Sequence, residues 1–230
     1  YLTANSAGSG AYTVVSHNPQ DETVMAKNPA YFLPIAAEAP DTVRLRYGLD
    51  PATVRTLISQ GEHDISSQWL PPEVKTAIAE GGGQLLSEGG TGGFYFKINT
   101  KKAPFDDENC RRAVVQAYDY TTGLRLVQVT GEVAEGTPAA GAIPVGMMGA
   151  GTTPIVQDLA AAAASHAACK YPAADFKVQI SWIAEVPIEE RFALLMQANL
   201  TQIGMQSEIV KQPWALFAEQ VANPENTPNI

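Results

Sequence analysis

Phe94-Tyr95-Phe96-Lys97-Ile98-Asn99-Thr100-Lys101-Lys102-Ala103-Pro104-Phe105-Asp106-Asp107-Glu108-Asn109-Cys110-Arg111-Arg112-Ala113-Val114-Val115-Gln116-Ala117-Tyr118-Asp119-Tyr120 reads as a strand, a break and a helix. Phe94–Asn99 is aromatic and β-branched, as strands are. Pro104 interrupts, and Asp106 or Asp107 then stands where a helix N-cap is needed. The helix is expected to run to about Tyr120, with a second helix after it.

The same succession continues on both sides. Tyr12–Ser16 and Glu22–Ala26 are short and β-branched, and the His17–Asp21 turn between them contains Asn18-Pro19, so they predict a hairpin. Asn28–Pro40 holds three prolines and reads as an irregular connection. Val43–Tyr47 alternates apolar and basic residues, the period of a strand with one wet face. Asp50 and Pro51 open a helix to about Gln60, with Val54, Leu57 and Ile58 on one face and Gly61 as its stop. His63–Ile65 and Gln84–Ser87 read as short strands around a helix opened by Pro71-Pro72. That helix points Val74, Ala77 and Ile78 inward and breaks at Gly81–Gly83. Gly131–Thr153 is rich in Gly, Pro, Ala and Met and is expected to be a long surface loop. Asp158–Cys169 is helical by propensity, and Phe176–Trp182 alternates as a strand. Ile188, Phe192, Leu195 and Ile203 mark one face of a long helix that closes at Gly204. Met205–Lys211 is a strand and Trp214–Val221 a final helix. Strand and helix alternate, which predicts α/β lobes with mixed sheets. The composition shift near Gly89–Asn99 suggests a boundary, dividing the chain into 1–93 and 94–230.

The bulk composition bounds function. Fifteen Lys and Arg stand against twenty-four Asp and Glu, a net charge of −9. The basic residues are scattered, which argues against a nucleic-acid partner. No run of ~18 apolar residues exists to span a membrane. The start at Tyr1, without a charged-then-apolar leader, reads as processing and not as evidence for the cytoplasm. The two cysteines, Cys110 and Cys169, form no CxxC pattern, so no thiolate zinc site is expected. Whether they pair or stay as buried free thiols is open in the sequence.

No catalytic constellation stands out in the sequence. His17, His63 and His166 lie in no HExxH motif and at no i, i+4 spacing to one another. There is no GxSxG elbow and no phosphate loop, and the pairs Asp106–Asp107 and Glu189–Glu190 are explained by helix starts. Neither a catalytic residue nor a cofactor nor a metal is expected.

Four separated motifs carry a resemblance. They are Gly8-Ser9-Gly10-Ala11-Tyr12 with Asn18-Pro19 and Lys27-Asn28-Pro29-Ala30-Tyr31-Phe32; Gly61-Glu62-His63-Asp64-Ile65 with Leu70-Pro71-Pro72-Glu73; Phe94–Asn99 with Ala103–Asp107, Arg111 through Ala117, and Asp119; and Leu195–Met205 with Trp214 and Phe217. In this order they resemble family 5 of the extracellular solute-binding proteins of ABC importers, the peptide, nickel and oligosaccharide type. Ala11, Asn109 and Lys170 stand where the family usually has proline, arginine and glycine. The loss of charge at Asn109 weakens any anion recognition there.

The resemblance implies a periplasmic-binding-protein type II-like fold, truncated at both ends, with 1–93 from the first lobe and 94–230 from the second. It implies a non-catalytic protein outside the cytoplasm, periplasmic or at the cell surface. Such a protein delivers peptides or another small solute to ABC permease subunits by closing its lobes. Contact with the membrane would come through a lipid anchor absent from this chain. The loop Ser66, Ser67, Gln68 and Trp69 follows a strand, where α/β folds bind ligands, and is expected to face the cleft. Trp69 offers an apolar platform and Gln68 a donor and acceptor, with a core anchor as the other role for Trp69. Tyr95 and Arg111 are further candidates, although Arg111 has a structural alternative in pairing with Asp107 or Asp119. A sensory or interaction domain on the same fold is the alternative function, and a hydrolase with a non-local site the third.

Overall fold

In the first part of the chain, short-range polar bonds organise the strands. The computed structural model describes residues 8–66, 69–87, 90–129, 136–171 and 175–230. By its contacts the chain divides into two units, Tyr1–Leu57 and Ile58–Ile230. The first unit is an antiparallel sheet of β1 (Tyr12–His17), β2 (Glu22–Lys27) and β3 (Thr42–Arg46), in that spatial order. The hairpin turn is closed by Asn18, whose N–H donates to the Glu22 carbonyl at 2.9 Å and whose side chain accepts from Gln20 N–H. Asn28 donates from its backbone to the Ala11 carbonyl and from its side chain to the Gly10 carbonyl. Two of the family-like stretches therefore meet at the open end of the hairpin, beyond the Tyr12–Lys27 pair. Thr23, buried in β2, shares its hydroxyl with Tyr47 Oη (2.6 Å) and His17 Nδ1 (2.7 Å). His17 is thus a structural histidine.

Helix α1 (Pro51–Ser59) starts where expected, because Asp50 accepts from the N–H groups of Ala52 and Thr53, and it stops at Gly61, whose φ is 72°. In the second unit follow α2 (Pro72–Glu80), α3 (Glu108–Ala117), α4 (Tyr120–Leu126), α5 (Leu159–Ala167), β4 (Val178–Ile183), α6 (Ile188–Gln202), β5 (Ser207–Gln212) and α7 (Trp214–Val221). β4 and β5 pair in parallel, and α6 is the crossover that parallel pairing requires. Val178, Ile180 and Trp182 point inward from β4. They meet Phe105, Ala113, Val114 and Ala117 from the α3 region, Ala162 of α5, and Ala193, Met196 and Leu200 of α6.

Three expectations are corrected. The helix expected to reach Tyr120 ends at Ala117, because Tyr118 is extended (ψ 131°) and Asp119 caps a new helix by accepting from Thr122 N–H. Of the four residues expected on the inner face of α6, Ile188 and Ile203 are buried and Leu195 packs against the core, alongside Ala193, Met196, Asn199 and Leu200. Phe192 is drawn aside instead, onto Phe94 at 5.5 Å between ring centroids. The segments expected as strands at 63–65, 84–87 and 94–99 show no ladder among the described residues. Strand propensity needs a partner backbone, and among the described residues none forms a ladder with Phe94–Ile98. At its end, Asn99 N–H donates to the Asn229 carbonyl at 2.9 Å.

The two cysteines are joined. A disulfide links Cys110 of α3 to Cys169 beyond α5, with Cα atoms 4.9 Å apart. Part of the expected loop 131–153, its first five residues, lies outside the described residues; from Gly136 onward it is irregular, with Met147 and Met148 exposed.

Candidate functional site

Of the six residues singled out from the sequence, Ser67 and Gln68 lie outside the described residues. Ser66 is half-buried. Trp69 is 45% exposed, so it is not a core anchor; the anchor is its neighbour Leu70, which is buried. The loop is pinned by Leu70 and by Pro72, the buried first residue of α2. Trp69 stands edge-on to Phe94, with centroids 6.1 Å apart and planes at 85°. Phe94 is itself 54% exposed and leans on Phe192 of α6. Three aromatic rings from positions 69, 94 and 192 thus make one surface ledge. Nothing in local spacing announces this grouping. Phe94 and Phe192 join Trp69 only through tertiary packing, which the linear sequence does not signal.

Tyr95 is also exposed, and its hydroxyl donates to the Ala142 carbonyl at 3.1 Å. Its ring is thereby fixed against the loop that follows Gly136. Arg111 stands apart: its Nη1 donates to the Phe105 carbonyl at 2.7 Å. That bond ties the N-terminal turn of α3 back over the segment preceding it. Asp107 and Asp119 are occupied as helix caps, not as partners of Arg111.

A shallow groove of about 400 Å³ adjoins the ledge in sequence, lined by Pro72, Glu73, Thr76, Arg125 and Arg191 among others. Arg191 and Glu73 form an ion pair within it. A larger groove of about 670 Å³ lies along α6 and β5 and contains none of the six residues.

The ionisable groups are explained by structure. Lys170 Nζ (2.8 Å) and Tyr171 Oη (2.9 Å) both donate to Asp106, and these bonds hold its carboxyl below the ordinary range. The hydrogen bond from the Thr122 hydroxyl lowers Asp119 in the same way. Burial pushes Glu189 up, although it accepts from Ile183 N–H at 2.8 Å. His166 Nδ1 lies 2.8 Å from the Ile203 carbonyl, so it closes the end of α6. Asp107, Cys110 and Cys169 gather within 4.8 Å, but the two sulfurs are bonded to each other and offer no thiolate. Among the described residues, no helix is long and apolar enough to cross a membrane.

The sequence pattern of the family described as "Bacterial extracellular solute-binding proteins, family 5 Middle" matches residues 1–227. The chain is 24% identical, over 230 residues, to a probable D,D-dipeptide-binding periplasmic protein of Escherichia coli, covering 96% of this chain and 42% of that protein. Its fold is similar to a periplasmic binding protein of Helicobacter pylori solved with the peptide STSA (TM-score 0.73, 19% identity, 93% of this chain and 40% of that one). It is also similar to a binding protein of A. tumefaciens R10 solved with agropinic acid (TM-score 0.70, 20% identity, 96% and 44%). The chain spans less than half the length of each of these proteins.

Proposed function

We propose that this chain, which belongs to family 5 of the bacterial extracellular solute-binding proteins, is part of the peptide-binding component of an ABC importer. The observation that carries the reading is the family match across residues 1–227, rather than over one motif. The peptide-binding names of the E. coli relative and the H. pylori structure favour peptides over other solutes. The reading is of binding without turnover, outside the cytoplasm, with delivery to permease subunits.

In this reading residues 1–93 belong to one lobe and 94–230 to the other, with the crossing near Gly92–Asn99 as part of the hinge. Ligand binding shifts an open–closed equilibrium, and the closed form engages the permease. The loop Ser66–Trp69 contributes ligand contacts, with Trp69 as the platform. Its exposure and its support from Phe94 favour that role, because an exposed aromatic held by another ring offers apolar area at little entropic expense. Tyr95 is a second contact. Arg111 positions the start of α3 through Phe105 and contributes to ligand only indirectly.

The test uses the full-length protein. Native mass spectrometry after purification from its host is expected to show a carried peptide. Titration with peptides, an opine and a nickel chelate is expected to show binding of peptides alone. Trp69→Ala is expected to weaken peptide binding about tenfold or more, roughly 1.4 kcal/mol, with an unchanged fold. Unchanged affinity sinks the Trp69 assignment, and hydrolysis of the peptides sinks the binding-protein reading. Small-angle scattering that shows no change in lobe angle with ligand sinks the hinge.

A further inference from the structure

Beside the disulfide, helices α3 and α5 are docked by hydrogen bonds and by small buried side chains. Asn109 Nδ2 donates to the Ala168 carbonyl at 3.2 Å, and Asp158 N–H donates to the Gln116 carbonyl at 2.8 Å. Gln157 Nε2 reaches the Ala117 carbonyl at 2.7 Å, and Ser165 Oγ meets the Gln116 side chain at the same distance. The facing residues Ala113 and Ala162 are fully buried and small, so the helices approach closely. Just past Cys169, Lys170 and Tyr171 both bind Asp106. This seam flanks the disulfide on both sides, through Asn109 with Ala168 and through Asp106 with Lys170 and Tyr171. The two positions differ in access. Cys110 is 0% exposed, whereas Cys169 is half-buried and sits beside the exposed Lys170.

We propose that the Cys110–Cys169 bond is installed by thiol–disulfide exchange with an oxidised dithiol oxidoreductase, with Cys169 as the attacking sulfur and Cys110 as the resolving one. The inference rests on the proposed function only for the compartment in which oxidation happens, since disulfides persist outside the reducing cytosol. The Cys169 thiolate attacks the donor's disulfide, forming a mixed disulfide and releasing one donor thiolate. The Cys110 thiolate then attacks the Cys169 sulfur, closing the bond and expelling the second donor thiolate. The chain loses two electrons and two protons, and the donor disulfide becomes a dithiol. Cys169 starts the exchange because it is reachable from solvent, whereas Cys110 is fully buried.

The test takes the full-length protein from outside the cytoplasmic membrane, quenched in acid and treated with a maleimide before and after reduction. Neither cysteine is expected to label before reduction and both after it, with the 110–169 cross-linked peptide found by mapping. Labelling of both thiols before reduction overturns the proposal. Protection that a chelator removes, with stoichiometric zinc, also overturns it, in favour of a metal set of Asp107 and the two thiolates. The order of attack is read with oxidised glutathione as probe on the single variants. Cys110→Ala is expected to form the mixed disulfide at Cys169 at least about tenfold faster than Cys169→Ala forms it at Cys110. Equal or reversed rates overturn the assignment of roles, and the mapping of the unsubstituted protein does not depend on either variant folding. Peptide titration of the same oxidised sample reads the proposed function separately. Failure to bind peptide with the bond intact overturns that function and leaves this inference standing.

Discussion

Reducing the Cys110–Cys169 bond is expected to destabilise the second unit by an amount set by the chain it closes. The cysteines are 59 residues apart, for which loop-closure entropy gives about 4 kcal/mol at 25 °C. The native state itself changes little, because the hydrogen-bonded seam between α3 and α5 remains and a buried thiol behaves as a small apolar group. The loss therefore falls on the unfolded state, which gains freedom when the loop opens. Two observables follow. Unfolding free energy falls by about 4 kcal/mol, or roughly 8–16 °C in Tm for a chain of this size. The denaturant slope also rises, because the unlinked chain exposes more surface on unfolding. Guanidinium titration with and without a phosphine reductant measures both. Trp182 is a suitable fluorescence reporter, since it is 4% exposed in β4 while Trp69 and Trp214 are already open to water. If thiol labelling shows complete reduction and stability moves by less than about 1 kcal/mol with an unchanged slope, the loop-entropy reasoning is wrong.

Further outcomes are expected from single substitutions. Phe105→Ala removes a fully buried ring and is expected to cost about 3–5 kcal/mol by chemical denaturation. Asn199→Ala leaves Asp119 N–H, which Asn199 Oδ1 accepts at 2.9 Å, without its partner, so a loss of about 1–3 kcal/mol is expected; a neutral result would show that water replaces the amide. Glu189 has its pKa raised by burial, so the folded state binds the extra proton and stability is lost as pH rises from the ordinary carboxyl value through the raised one. Glu189→Gln is expected to abolish that loss, seen as a midpoint difference that grows across the window and stays flat above it. Asp119 has the opposite sign: its stabilising contribution is present above the ordinary value and lost as pH falls through its lowered one, and Asp119→Asn is expected to flatten the acid limb.

Much of the local architecture was legible because its causes are local. Asp50 before Pro51, Asp107 before α3 and Gly204 after α6 act within one helical turn, and the structure uses all three. The alternation of Phe176–Trp182 needed only the period of a strand, and β4 buries Val178, Ile180 and Trp182 accordingly. The ordered motifs were enough to identify the family, and some of them tie the fold locally, as Asn28 does with Gly10 and Ala11 at the open end of the hairpin. The candidate site was legible only in part: Trp69 and Tyr95 could be picked out, whereas their setting could not.

What the tertiary structure decided are the relations between distant residues. Tyr118 leaves the helix although its propensity permits continuation, because Asp119 is held by Thr122 from below and by Asn199 across 80 residues. Phe94–Ile98 has strand composition yet forms no ladder among the described residues, since a strand exists only with a partner backbone. Asn229 binds the Ala103 carbonyl and the amides of Asn99 and Gln179, a junction that no period or cap could announce. The two cysteines, undecided in the linear chain, are paired because α3 and α5 dock through Ala113 and Ala162. Trp69, Phe94 and Phe192 meet for the same kind of reason. Sequence alone determined the turns, caps and periods and the family they belong to. Which surfaces touch, and so where a ligand platform can stand, was set by packing over separations that local signals do not encode.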